Sequence, residues 1–282
     1  MRRRKTATLA IALTVLAIIG FAFFNLLSDN VLNKLDEATA RSSQFSKPLN
    51  ALKSSGPQAT AQQLPGNILD LSNWKLTLPI SVSNNGAPEE ITQPQLANFS
   101  ISPFFQLNGQ GNGVQFEAPV GGTTTSNSDF PRSELREMTN NGTAAASWSS
   151  NKGVNSMSIQ EAITHLPSVR PQLVAGQIHG PKNYVILIRL NGSELFVEAN
   201  GKNVGTLDNN YKLGTIFTVN VSASSGIIQV AYNGTTKAKY SNTGSGYYFK
   251  AGCYTQSNPT KGDSSNDYGQ VIIYKLGVSH TT

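Results

Sequence analysis

Hydrophobic positions are distributed along this chain in three different ways. From Thr6 to Leu27 they form one stretch with no charged residue, directly after Arg2-Arg3-Arg4-Lys5. A stretch of roughly 22 residues exceeds the core of most signal peptides and is long enough to span a bilayer. The cations ahead of it predict an N-terminus that stays inside and a remainder that lies outside. A cleaved signal is the competing reading, but the small-x-small site Ala38-Thr39-Ala40 lies far beyond the apolar stretch. The expectation is a signal-anchor or signal peptide over 1–27. Residues 28–66 have few large apolar positions and are rich in Ser, Ala, Gln, Lys and Pro. They read as a flexible linker, with room for a short helix near Val31–Ala40.

From Asn67 the pattern becomes short and strand-like. Tyr184–Leu190, Leu195–Ala199, Phe217–Val221, Ile227–Tyr232 and Gln270–Leu276 are β-branched or aromatic runs of strand length. Asn-Gly pairs at Asn85-Gly86, Asn141-Gly142, Asn191-Gly192, Asn200-Gly201 and Asn233-Gly234 suit tight hairpin turns. No long segment carries a 3.6-residue period, and no internal repeat is visible. The pattern predicts an all-β domain over 67–282: an antiparallel β-sandwich, of jelly-roll type.

Within that domain three segments place polar side chains two residues apart. They are Arg132-Ser133-Glu134-Leu135-Arg136, Gln177-Ile178-His179, and Tyr248-Phe249-Lys250-Ala251-Gly252-Cys253-Tyr254-Thr255-Gln256. Side chains alternate between the faces of a strand. Arg132, Glu134 and Arg136 therefore share one face, as do Gln177 and His179, and as do Tyr248, Lys250, Tyr254 and Gln256. Leu135, Ile178, Phe249, Ala251 and Cys253 point the other way. Three such strands make a cationic, hydrogen-bonding floor on a packed sheet, a surface suited to an acidic polymer. The competing reading of the Arg132 segment is a solvated face with cross-strand ion pairs.

Charge changes this picture less than its total suggests. The chain carries a formal net charge of +6, but residues 1–66 hold eight Lys/Arg against three Asp/Glu, and residues 67–282 fourteen against thirteen. The β-domain is nearly neutral, so a local cluster must hold any acidic ligand. No Lys/Arg run follows residue 66 and no zinc-finger or helix-turn-helix spacing appears, which argues against nucleic acid. Cys253 is the sole cysteine, so an intrachain disulfide and a cysteine-rich metal site are excluded; it reads as a small core residue.

Other chemistries find little support. Gly109-Gln110-Gly111-Asn112-Gly113 lacks the Gly-Lys-Ser/Thr ending of a phosphate loop and reads as a surface loop. A glycosidase needs two carboxylates across a cleft. Glu134 and Glu137 fall on opposite faces, and nothing marks Glu194 and Glu198 beyond a shared face. No Gly-x-Ser-x-Gly signature is present. His165 and His280 stand alone as surface or packing residues, and the scattered histidines give no metal pattern.

The three segments, in this order and spacing, resemble the signature regions of the polysaccharide lyase family 7 alginate lyases. The resemblance runs from about Asn67 to the end, and the Tyr248–Gln256 segment is its most specific part. It implies a β-jelly-roll with a substrate cleft on its concave sheet, and eliminative depolymerisation of alginate. It leaves the N-terminal segment and linker uncovered. An extracytoplasmic monomer, secreted or tethered through the N-terminal segment in a membrane, is the expected setting.

Alginate is a chain of 1,4-linked uronates. Elimination removes the C5 proton beside the carboxylate and expels the C4 oxygen, leaving a 4,5-unsaturated end. The site must neutralise the carboxylate and stabilise the charge that develops. Arg132 can supply a bidentate cation and Gln177 a neutral amide donor. His179 can donate a proton or accept one, and Tyr254 can protonate the departing oxygen. Glu134, Arg136, Tyr248, Lys250 and Gln256 are the expected substrate-binding residues. No metal or organic cofactor is required. Within the family, Ile in the middle of Gln-x-His accompanies action on guluronate-containing blocks, so Ile178 leans that way. The alternatives are a lyase for another polyuronate such as glucuronan, a sandwich-fold glycoside hydrolase, and a non-catalytic module binding acidic polysaccharide. His179 and Tyr254 together argue against the last.

Overall fold

The computed structural model describes residues 63–82 and 86–282. The expected signal-anchor, nearly all of the linker, and Asn85 of one hairpin pair lie outside the described residues. Among the described residues, seventeen strands form two antiparallel sheets. The larger sheet runs, in spatial order, β12 (Lys202–Asp208), β11 (Glu194–Ala199), β10 (Tyr184–Asn191), β9 (Gln172–His179), β16 (Ser245–Thr255), β5 (Arg132–Thr139), β1 (Trp74–Thr77) and β2 (Glu90–Ile91). Two short strands attach to it: β6 (Ala144–Ala145) on β5 and β7 (Trp148–Ser149) on β16. The second sheet runs β15 (Thr235–Ser241), β14 (Ile227–Tyr232), β13 (Phe217–Ser224), β8 (Val154–His165), β17 (Tyr268–Thr281), β4 (Val114–Pro119) and β3 (Phe105–Leu107).

Each sheet turns one apolar face inward. Leu76, Leu135, Ile178, Ile186, Phe249, Ala251 and Cys253 from the larger sheet meet Phe116, Met157, Ile159, Phe217, Val219 and Val271 from the other in one buried core. This two-layer antiparallel sandwich is consistent with the jelly-roll type. Burial of each large side chain stabilises it by about 1.5–3 kcal/mol relative to exposure. Among the described residues the only helices are three short 3-10 turns. The first, Pro65–Asn67, has a buried Pro65, and Leu64 N–H donates to Asn67 Oδ1.

Turn chemistry sets several registers. Asn200-Gly201 and Asn233-Gly234 form two-residue hairpin loops with positive φ at both positions (50° and 70°, 47° and 82°). Asn191 departs from expectation: it closes β10, and the loop is Gly192-Ser193. Ser225-Gly226 makes an equivalent left-handed turn between β13 and β14 (φ 51° and 72°). Ile227–Tyr232 is a strand over the residues anticipated, while Gln270–Leu276 is the middle of a strand twice as long. The Gly109–Gly113 segment is a loop between β3 and β4, held by Asn108 Oδ1 accepting from Asn112 and Gly113 N–H.

Candidate active site

The fold makes the three polar segments neighbours. β9, β16 and β5 lie side by side in the middle of the larger sheet. Register then aligns their side chains: Arg136 and Gln177 flank Lys250, Arg132 pairs with Tyr254, and His179 pairs with Tyr248. Lys75 of β1 extends the row beyond Arg136. These residues line one cleft of about 560 Å³, together with Thr125, Asn127 and Ser128 from the loop before β5. A second depression, on the outer face of the other sheet, is lined by Ser156, Ser158, Asn220, Ser222 and Ser279 among others and holds no titratable side chain.

A break in register shapes the centre. Between Ala251 and Tyr254 the β16–β9 ladder shifts, and Gly252 adopts φ 138°. A Cβ there would stand 2.6 Å from Ser133 O and 2.9 Å from Glu134 Cα. Only glycine permits this approach.

Glu134 lies beneath the floor rather than on it. It is 0% exposed and absent from the cleft lining, which corrects its expected role as a substrate contact. Periodicity assigns it to the correct face, but its short side chain is roofed by longer ones. Its Oε2 pairs with Lys250 Nζ and, at 3.4 Å, with Arg132 Nη1. Its Oε1 accepts from Gln177 Nε2. Burial works to raise the Glu134 pKa, but the Lys250 and Arg132 charges and the hydrogen bonds outweigh it and hold the group below its ordinary value. An ionised carboxylate only accepts, so the Gln177 amide nitrogen must face it.

Lys250 is the converse case. Burial pushes its pKa down to about 8, opposed by Glu134. His179 is lowered chiefly by burial, against the pull of the Gly180 carbonyl, so it is neutral at neutral pH. Its Nδ1 lies 2.6 Å from Gly180 O and 3.0 Å from Tyr248 Oη. A carbonyl only accepts, so Nδ1 carries the hydrogen and Nε2 keeps its lone pair, the form of a general base. Tyr248 stacks on the His179 ring at 5.2 Å, Arg136 lies 4.1 Å over the Tyr248 ring, and burial raises the Tyr248 pKa. Arg132 lies 3.9 Å over the Tyr254 ring, and Ser128 Oγ is 2.8 Å from the Tyr254 hydroxyl. Arg132 Nε and Gln256 Nε2 are buried donors without a partner.

A family model described as alginate lyase matches residues 69–280. The chain belongs to the alginate lyase family. Alginate lyase AlgAT5 from polysaccharide lyase family 7 is 52% identical, covering 78% of this chain and 99% of its own, with a TM-score of 0.75. The alginate lyase from Corynebacterium sp. is 47% identical over 77% of this chain and 98% of its own, with a TM-score of 0.74. A variant of alginate lyase A1-II', solved in complex with the substrate GGMG, is 29% identical over 78% of this chain and 97% of its own, with a TM-score of 0.64.

The cleft also holds residues that sequence reasoning missed. Lys75 Nζ bridges both Glu90 oxygens at 2.7 Å. Glu198 accepts from Arg189 and Tyr184, each at 2.8 Å, at the other end of the row. Periodicity showed only the face that Glu198 shares with Glu194; the partners that matter come from a neighbouring strand. His165 and His280 lie outside the cleft: His165 stacks on Tyr268, and His280 Nε2 contacts Glu137 Oε1 at 2.6 Å. Cys253 is fully buried.

Proposed function

We propose that this cleft eliminates alginate with Arg132, Gln177, His179 and Tyr254 as its working residues. One observation carries the reading: three donors gathered round the buried Glu134 share a cleft with a neutral His179 and a Tyr254 hydroxyl. Arg132 and the second amide hydrogen of Gln177 meet the substrate carboxylate, drawing charge from C5 as its proton leaves. Arg136, Lys250, Tyr248 and Gln256 hold neighbouring sugars.

The stereochemistry of the uronate divides the labour. In guluronate the C5 proton and the C4 oxygen lie on opposite faces. His179 Nε2 takes the proton, the C5–H pair becomes the C4–C5 double bond, and the C4–O pair leaves onto an oxygen protonated by Tyr254. In mannuronate both lie on one face, so a Tyr254 phenolate takes the C5 proton and returns it to the leaving oxygen. The form of His179 supports action on guluronate-containing blocks. Ile178 is fully buried in the core, so any influence on block choice acts through packing. The chain acts outside the cytoplasm, held to or exported through a membrane by its N-terminal segment.

The test is His179→Ala on purified polyguluronate and polymannuronate at one ionic strength. The loss in kcat/KM on polyguluronate is expected to be at least about a hundredfold, the scale of a lost general base, and larger than on polymannuronate. Equal losses would reduce His179 to a charge neutraliser.

A further inference from the structure

Tyr254 needs its hydroxyl held in place in two protonation states, and Ser128 is the group that touches it. Ser128 lies in the loop between β4 and β5. Its Oγ accepts from Phe130 N–H at 3.1 Å, and this bond fixes the oxygen. The single Ser128 hydroxyl hydrogen has two acceptors within reach: Phe130 O at 3.1 Å and the Tyr254 oxygen at 2.8 Å. Ser128 N–H donates to Thr125 O at 3.0 Å, and the loop is anchored again just after Ser128. Arg170 lies over the Phe130 ring at 5.3 Å, and Asn258 Nδ2 donates to Asp129 O at 3.0 Å.

We propose that Ser128 is a positioning residue for the elimination, a pinned oxygen whose hydrogen turns between Phe130 O and Tyr254 as the tyrosine loses and regains its proton. The proposal rests on the assignment of Tyr254 as acid and base. With Tyr254 as phenol, the Ser128 hydrogen sits on Phe130 O, and the phenol proton points to Ser128 Oγ or to the leaving oxygen. With Tyr254 as phenolate, the Ser128 hydrogen turns to the phenolate oxygen. The proton that Tyr254 gains from C5 is the one it gives to the C4 oxygen. Ser128 exchanges no proton, and only its hydrogen bond moves. Arg132, stacked on the ring, supplies the charge, and Ser128 supplies the direction.

Full-length Ser128→Ala, Ser128→Cys, Ser128→Thr and Tyr254→Phe proteins, assayed on polymannuronate, test this. Ser128→Ala and Ser128→Cys are expected to lose about tenfold or more in kcat, the scale of a hydrogen bond to a charged group, with KM unchanged. Ser128→Thr restores most of it. Ser128→Cys keeps the side-chain volume and decides the matter if Ser128→Ala fails to fold. Unchanged kcat in the Ala and Cys variants, with Tyr254→Phe inactive, overturns the role of Ser128 alone. A raised KM that Thr does not rescue also overturns it, leaving Ser128 as a loop fastener. Turnover surviving in Tyr254→Phe overturns the assignment of Tyr254 itself.

Discussion

Glu134 orients three donors that would otherwise repel one another or turn away. Lys250, Arg132 and Gln177 all reach for this one buried carboxylate. The same arrangement sets the pH range of the site. Lys250 is a cation below about 8 and loses its charge above it, so KM for alginate is expected to rise with pH beyond about 8. His179, lowered chiefly by burial, is a free base except at acid pH. The acidic limb of kcat/KM on polyguluronate is therefore expected below the ordinary histidine value of about 6.5. Profiles of kcat and KM against pH at fixed ionic strength check both limbs. A KM that stays flat up to pH 10 would remove Lys250 from substrate binding. The face that each of these residues occupies was legible as a period of two. Depth was not: periodicity carries no term for the longer neighbours that cover Glu134.

The strands differ in how plainly they declare themselves. Ile227–Tyr232 has three β-branched residues and a tyrosine in six positions and was readable end to end. The twelve residues of β8, Val154–His165, interleave inward Asn155, Met157, Ile159 and Glu161 with outward Ser156, Ser158 and Gln160. Two polar residues on the inward face blur the alternation, so the longest partner of β17 went unseen. Ser225-Gly226 escaped for a related reason, since serine rarely takes a left-handed turn. The decisive element is the shift in β16 at Gly252. Gly252→Ala is expected to cost at least about 1–3 kcal/mol from backbone strain, with further loss from the contact on Ser133 O, and to lower turnover by moving Tyr254. Chemical denaturation beside a kinetic assay measures both. Native stability in this variant would show that the shift is not needed.

At the scale of the molecule, a nearly neutral β-domain gathers one row of cations across a sheet, and the proposed hold on a polyanion rests on that row. All of the cleft residues named here lie between Lys75 and Gln256. Residues 63–282 are therefore expected to fold and depolymerise alginate without the preceding segment, as circular dichroism and turnover of that fragment would show. An unfolded fragment would place the domain boundary earlier in the chain. The central claim is that Tyr254 moves the proton in a cleft that binds alginate independently of it. Its most direct test is Tyr254→Phe, with alginate binding and the ultraviolet absorbance of unsaturated product ends measured on one preparation. Binding near that of the unaltered protein, with at least about a hundredfold loss of unsaturated ends, is the expected result. Undiminished formation of unsaturated ends would contradict the account.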